Sequence, residues 1–200
     1  MKRILLGTIL GLSTLAPLAS VQAQGNINLY NYASGGTPAN AIVYGIAAGG
    51  PLGQGVTTGG FTVGMYIGAG DQTAAVNGAF NGTSYELIPI LALATGVGAT
   101  TPLGDFEPGE YSAGFEYNTG IIGGTVTVVV VAYNGANYDT SSIRGHSQAF
   151  IMTTTSATEN APWTGTFMNG FAVSPPIPEP STFALIGLGL ASLMSLRRRN

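Results

Sequence analysis

Along the middle of the chain, apolar side chains recur at every second position. Phe61, Val63, Met65 and Ile67 fall on one face of an extended segment, with Thr62, Gly64 and Tyr66 on the other; Tyr111, Ala113, Phe115 and Tyr117 oppose Ser112, Gly114 and Glu116 in the same way. A period of two marks a strand with one buried face. The run from Thr125 to Tyr133 breaks the alternation with Val128-Val129-Val130-Val131, which predicts a central strand covered on both faces. Further strands are predicted over residues 27–32, 41–47, 84–94, 147–155 and 164–173. Pro89 lacks an N–H, so its strand belongs at an edge or on a bulge, and residues 90–94 also fit a helix. Between the strands lie Gly49-Gly50-Pro51-Leu52-Gly53, Glu107-Pro108-Gly109-Glu110 and Tyr133-Asn134-Gly135-Ala136. The second of these places Pro and Gly where a type II turn wants them. Eight short strands without a long amphipathic helix predict an all-β fold, an antiparallel β-sandwich that is jelly-roll-like or Ig-like, with its strand order left open.

Both ends depart from this pattern. Lys2 and Arg3 precede an apolar run over residues 4–18, and small and polar residues follow, ending in Val21-Gln22-Ala23. That order is the three-part secretory signal, with a signal helix and cleavage after Ala23, because signal peptidase admits only small side chains at that place. The competing reading, an N-terminal core helix, is broken by Pro17. At the far end Pro175-Pro176-Ile177-Pro178-Glu179-Pro180 leads to an apolar stretch over residues 183–196 and then to Arg197-Arg198-Arg199. As a helix that stretch spans ~21 Å, short of the ~30 Å hydrocarbon core. It halts in a membrane but anchors poorly, and the arginines beyond it stay cytoplasmic, leaving the preceding domain outside. The chain therefore divides into a signal peptide (1–23), a β domain (24–174) and a proline-rich linker with a short hydrophobic helix and tail (175–200).

The ordered set of Pro178-Glu179-Pro180-Ser181-Thr182, apolar stretch and terminal arginine cluster resembles the PEP-CTERM sorting signal of Gram-negative, biofilm-forming bacteria, over residues 178–200. The resemblance implies recognition by exosortase, an integral-membrane cysteine protease that cuts near the Pro-Glu-Pro motif. Pro178, Glu179, Pro180, Arg197, Arg198 and Arg199 would then be the sorting residues. It also implies passage through the Sec translocon, trimming by signal peptidase, a transient stay in the inner membrane, and delivery to the cell surface or medium alongside exopolysaccharide. Where no such protease is present, the same tail serves as an ordinary membrane anchor. The middle of the chain is similar to small glycine-rich exported proteins carrying this tail, through Gly60-Phe61-Thr62-Val63-Gly64-Met65-Tyr66-Ile67-Gly68-Ala69-Gly70 and through Val128 to Tyr138, which ends Asn134-Gly135-Ala136-Asn137-Tyr138. That likeness supplies no substrate.

Charge and composition narrow the partners. Residues 24–174 hold eight acids and a single base, Arg144, so nothing there neutralises a row of phosphates, and nucleic acid is excluded as a partner. The absence of cysteine removes disulfides, thiolate metal sites and a cysteine nucleophile together. The only histidine, His146, lies in Ser142-Ile143-Arg144-Gly145-His146-Ser147 with no Gly-x-Ser-x-Gly elbow, and with Arg144 it reads as a solvated loop rather than a catalytic pair. Asp105, Glu107 and Glu110 offer oxygen ligands within six residues, but not in the spacing of a calcium loop, and they read as wet turn residues. No cofactor, metal or catalytic set is assigned.

Aromatic residues are the remaining signal, since an exposed ring can stack on a sugar. Of Trp163, Tyr133, Tyr138, Tyr30 and Tyr32, Trp163 after Pro162 and Tyr138 in a turn are the two expected outside, as glycan contacts. The expectation is thus an exported, non-enzymatic surface or matrix protein. The alternative is a carbohydrate-binding module, and behind it a glycoside hydrolase, which needs only two facing carboxylates.

Overall fold

The computed structural model describes residues 25–32, 40–57, 59–79, 91–104, 107–155 and 160–176. The signal peptide with Ala23, the sorting residues Pro178, Glu179, Pro180, Arg197, Arg198 and Arg199, and the acid Asp105 lie outside them. No helix among the described residues is long and apolar enough to cross a membrane.

The centre of the domain is β7 (Thr125–Tyr133), the valine-rich strand. It pairs antiparallel with β3 (Thr62–Ala69) over the full length of β3, from Thr62 opposite Tyr133 to Ala69 opposite Val126. On its other side it meets β8 (Arg144–His146) and β9 (Phe150–Thr153), again antiparallel. Between those two strands Ser147 completes the ladder differently: its N–H donates to Val130 O (2.9 Å), and its hydroxyl accepts from Val130 N (3.0 Å). Here a serine side chain replaces a main-chain partner, which splits the single strand predicted over 147–155 and moves its first half upstream. The outer side of β3 is likewise shared by two short strands, β4 (Ala92–Leu93) and β5 (Thr100–Pro102). β4 sits at the sheet edge, while Pro89 and residues 84–90 of the strand predicted over 84–94 lie outside the described residues.

Both faces of β7 are covered, as its composition predicts. Val126, Val128, Val130 and Ala132 join Val63 and Met65 in the larger core, while Val129, Val131 and Tyr133 belong to a second core with Val76, Leu91, Tyr138 and Ala149. Two smaller sheets contribute to the larger core: β1 (Asn26–Tyr30) paired antiparallel with β6 (Ser112–Asn118), and β2 (Ile42–Tyr44) paired with β10 (Phe171–Val173). Ile27, Leu29, Ile42, Tyr111 and Val173 are their buried side chains. The described domain is therefore mostly antiparallel β, with β2–β10 a parallel exception.

Two further predicted strands are corrected. Residues 164–173 do not form one strand: α2 (Thr164–Phe167) makes a single helical turn, closed by Thr166 N to Trp163 O (3.1 Å) and Met168 N to Thr164 O (3.0 Å), and β10 follows it. The Thr164 hydroxyl takes the place of a strand neighbour, accepting from Tyr30 N (3.1 Å) and donating to Tyr30 O (3.2 Å). In β6 the predicted inward set fails at Phe115, which is 66% exposed. From Asn28 to Tyr30 the partner advances from Glu116 to Ser112, so β6 carries extra residues, and Gly114 at φ +69° forms the bulge that turns Phe115 outward. A helix also appears where none was predicted, α1 (Thr73–Ala79). Asp71 Oδ1 accepts from Thr73 N (3.0 Å) and from its hydroxyl (2.7 Å), capping the first turn and holding the Asp71 carboxyl below its ordinary range.

Candidate functional site

The outward face of β1 presents Asn26, Asn28 and Tyr30, and Tyr32 follows just beyond the strand, while Ile27 and Leu29 point into the core. Residues two apart on one face of a strand stand roughly 6.6 Å from each other, so these side chains form a row. The segment leading into α2 lies beside that row. Asn28 forms an isolated parallel bridge with Trp163, and its N–H donates to Pro162 O (2.8 Å). The Trp163 ring lies 5.0 Å from that of Tyr30 at an interplanar angle of 66°, and Tyr30 stands 6.1 Å from Tyr32 at 73°. These are edge-to-face contacts, which orient the rings without burying them. Trp163 remains 49% exposed.

Beneath the rings the floor is built from amides. Asn31 is buried; its Oδ1 accepts from Tyr111 N (2.7 Å), and its Nδ2 donates to Gly109 O (3.1 Å) and Asn40 O (3.2 Å). Gly109 occupies the third position of the predicted type II turn, at φ +86°, and the turn closes through Glu110 N to Glu107 O (3.0 Å). Asn40 Nδ2 donates to Gly165 O. Gly165 permits this close approach: a Cβ there would stand 2.5 Å from Asn31 Cα and 2.8 Å from Asn40 Nδ2. Behind the floor the Tyr111 hydroxyl meets Thr164 Oγ1 (3.1 Å), and burial holds that phenol far above the ordinary tyrosine range. Burial also raises Tyr30, and Tyr32 and Glu110 add to the rise.

Two hollows result. One of about 220 Å³ is bounded by Tyr30, Asn31, Tyr32, Asn40, Trp163 and the Gly165–Thr166 backbone. The other, about 300 Å³, lies against Pro162, Trp163, Thr166 and Phe167. Among the described residues no carboxylate, imidazole or cation lines either one.

Of the two predicted glycan contacts, the structure exposes Trp163 and buries Tyr138. Tyr138 is 1% exposed, in the second core, with edge-to-face partners Tyr66 (6.2 Å) and Tyr133 (6.3 Å). The turn carrying it folds back because the Arg144 guanidinium lies 5.2 Å over its ring while Nη1 donates to Tyr138 O (2.8 Å) and Asp139 O. Arg144 and His146 themselves sit half-buried in β8 and not in a solvated loop. Glu110, read from sequence as a wet turn residue, is buried, and among the described residues neither carboxylate oxygen has a hydrogen-bond partner. Burial, then the Glu107 charge, raises its pKa. Among the described residues no three His, Cys, Asp or Glu side chains gather into a metal-binding group. The sequence gives no notice of Asn40 and Gly165, since their roles come from a contact between distant segments. α1 was readable in principle from the capping Asp71 two residues before Thr73.

A comparison with family models places the sorting signal on the chain. Residues 176–199 are a PEP-CTERM protein-sorting motif. A PEP-CTERM motif implies an exported protein sorted to the cell surface by an exosortase. Neither the curated proteins nor the solved structures contain a match to this chain.

Proposed function

We propose that the chain is a non-enzymatic protein of the cell surface or extracellular matrix, carried across the inner membrane by the Sec translocon, cut by signal peptidase after Ala23, and released by exosortase cleavage near Pro178-Glu179-Pro180. Residues 24–174 would then reach the exterior as one β-sandwich domain, alongside exopolysaccharide. The observation that carries this reading is the PEP-CTERM motif at residues 176–199. The sandwich reading is supported by the larger core, to which all three sheets of the described residues send side chains.

A second reading, a carbohydrate-binding module, is favoured by one observation: a half-exposed tryptophan held at a fixed angle beside Tyr30 over a floor of asparagines. It is compatible with the first, since a matrix protein needs a ligand.

Intact-mass spectrometry of the protein from envelope and medium tests the first reading. Cells bearing the exosortase are expected to yield a chain beginning at Gln24 and ending near Pro178-Glu179-Pro180, and cells lacking it a chain ending at Asn200. A C terminus at Asn200 in protease-bearing cells would overturn the processing step.

A further inference from the structure

Trp163 and Thr166 line both hollows, so the two cavities adjoin at these residues. Resting on the carbohydrate-binding reading, we infer that this groove binds an uncharged polysaccharide chain running past Trp163, with one sugar residue in each hollow.

Three observations select that occupant. The first is charge. The hollows contain no cation, Arg144 is committed to the Tyr138 and Asp139 carbonyls on another part of the domain, and residues 24–174 carry eight acids against that one base. A uronate or sulfated polymer would meet repulsion with no compensating pair.

The second is hydrogen-bonding capacity. Asn40, which bounds the first hollow, carries a buried Oδ1 with no donor among the described residues. Sugar hydroxyls are donors. A proline-rich peptide, the other ligand that favours aromatic grooves, has no N–H at its prolines. The third is shape. Tyr30 and Trp163 are held edge to face, so they do not satisfy each other's faces by stacking. The carbon–hydrogen face of a pyranose ring fits against such a surface while its rim of hydroxyls reaches the amides.

Trp163 is the only tryptophan in the chain, so its fluorescence reports on this groove alone. The full chain, in a zwitterionic detergent free of sugar, is titrated with neutral gluco-, manno- and galacto-oligosaccharides of one to six units, with oligogalacturonate, and with a proline-rich peptide. Isothermal calorimetry runs in parallel. The expected result is a saturable blue shift with a neutral series, its affinity rising about tenfold or more from one unit to two or three as the second hollow fills, and falling about tenfold or more in Tyr30→Ala. Trp163→Ala, followed by calorimetry, is expected to abolish binding, and Tyr138→Phe to leave it unchanged. Tighter binding of oligogalacturonate at Trp163 would overturn the inference while sparing the carbohydrate reading. Calorimetric binding of a sugar that leaves Trp163 emission unmoved would do the same. Binding of the proline-rich peptide alone, or of no ligand, would overturn both.

Discussion

The molecule holds two aromatic clusters of nearly the same make-up and opposite fate. Tyr66, Tyr133 and Tyr138 meet edge to face at 6.2 to 6.3 Å in the second core, and Tyr30, Tyr32 and Trp163 meet edge to face at 5.0 to 6.1 Å beside β1. Ring geometry therefore does not separate a core cluster from a surface one. What lies over the rings does. The inner cluster is closed by Arg144 above Tyr138 and by Val76 of α1 in the same core, whereas the outer one has asparagines beneath it and two hollows around it. Local electrostatics differ in the same sense. The Tyr66 phenol is raised by burial and by Asp139 but lowered by Arg144, while Tyr30 is raised by burial, Tyr32 and Glu110 with no cation in opposition. A tyrosine in a turn becomes core when a cation and a helix close over it, and a tryptophan beside a strand stays half exposed where no described residue does so.

Truncating one ring from each cluster exposes this difference most strongly. Tyr138→Ala leaves a cavity in a closed core and is expected to cost about 3–5 kcal/mol, the range for a buried aromatic. Trp163→Ala removes a ring that is already half solvated and gives up little beyond its edge contact with Tyr30, about 1 kcal/mol. Urea unfolding of the two variants measures the gap directly. Equal losses of stability would mean that the outer cluster is core after all, and its claim to be a binding surface would fall with the comparison.

Gly165→Ala tests the floor of the outer cluster alone. The new methyl would meet Asn31 Cα at 2.5 Å, a backbone atom that cannot rotate away, so α2 must move off β1. The expected cost is about 1–3 kcal/mol, as for overpacking, together with a shift in Trp163 emission before any ligand is added. The corresponding insertion at Gly78, in α1 on the inner side, meets no atom within 4 Å and is expected to leave stability unchanged or slightly raised, alanine being the better helix former. A Gly165→Ala protein with wild-type stability and emission would show that this close approach does not hold the floor.

What the sequence made legible follows the range of the forces involved. β7 could be read to the residue because an unbroken valine run has one stable setting, and the type II turn at Pro108-Gly109 because its φ requirement is local. The faces of β3 followed from alternation alone, with Val63 and Met65 in one core and Tyr66 against the other. Phe115 was misplaced because a bulge at Gly114 is decided by the register with β1, and residues 164–173 because the Thr164 hydroxyl bonds to a strand more than a hundred residues away. Of the site, Trp163 was legible and Tyr138 was not, since the cover over Tyr138 is assembled from β8 and α1. The sorting motif was fully legible, being a signal read in order along the chain.

The finest separation between the clusters is in their response to pH, through Glu110. Its carboxyl is buried without a partner among the described residues, and burial together with the Glu107 charge raises its pKa above the ordinary value of 4.5. The folded protein therefore binds this proton more tightly than the unfolded chain. Between the ordinary value and the raised one the native state carries more protons, so unfolding free energy falls as pH rises through that window. The contribution is whole below pH 4.5 and is lost once Glu110 ionises in the folded state. Glu110→Gln, which never ionises, is expected to flatten that part of the stability curve and to be the more stable protein at pH 7, by about 1 kcal/mol for relief of a buried unpartnered charge. Because Glu110 also raises Tyr30, the same substitution should lower the pH at which Tyr30 ionises, followed by ultraviolet absorbance, and leave Tyr66 in the inner cluster untouched. A stability curve for Glu110→Gln that parallels wild type from pH 4 to 7 would place this carboxylate in water and remove the one electrostatic link between the turn at Gly109 and the aromatic face.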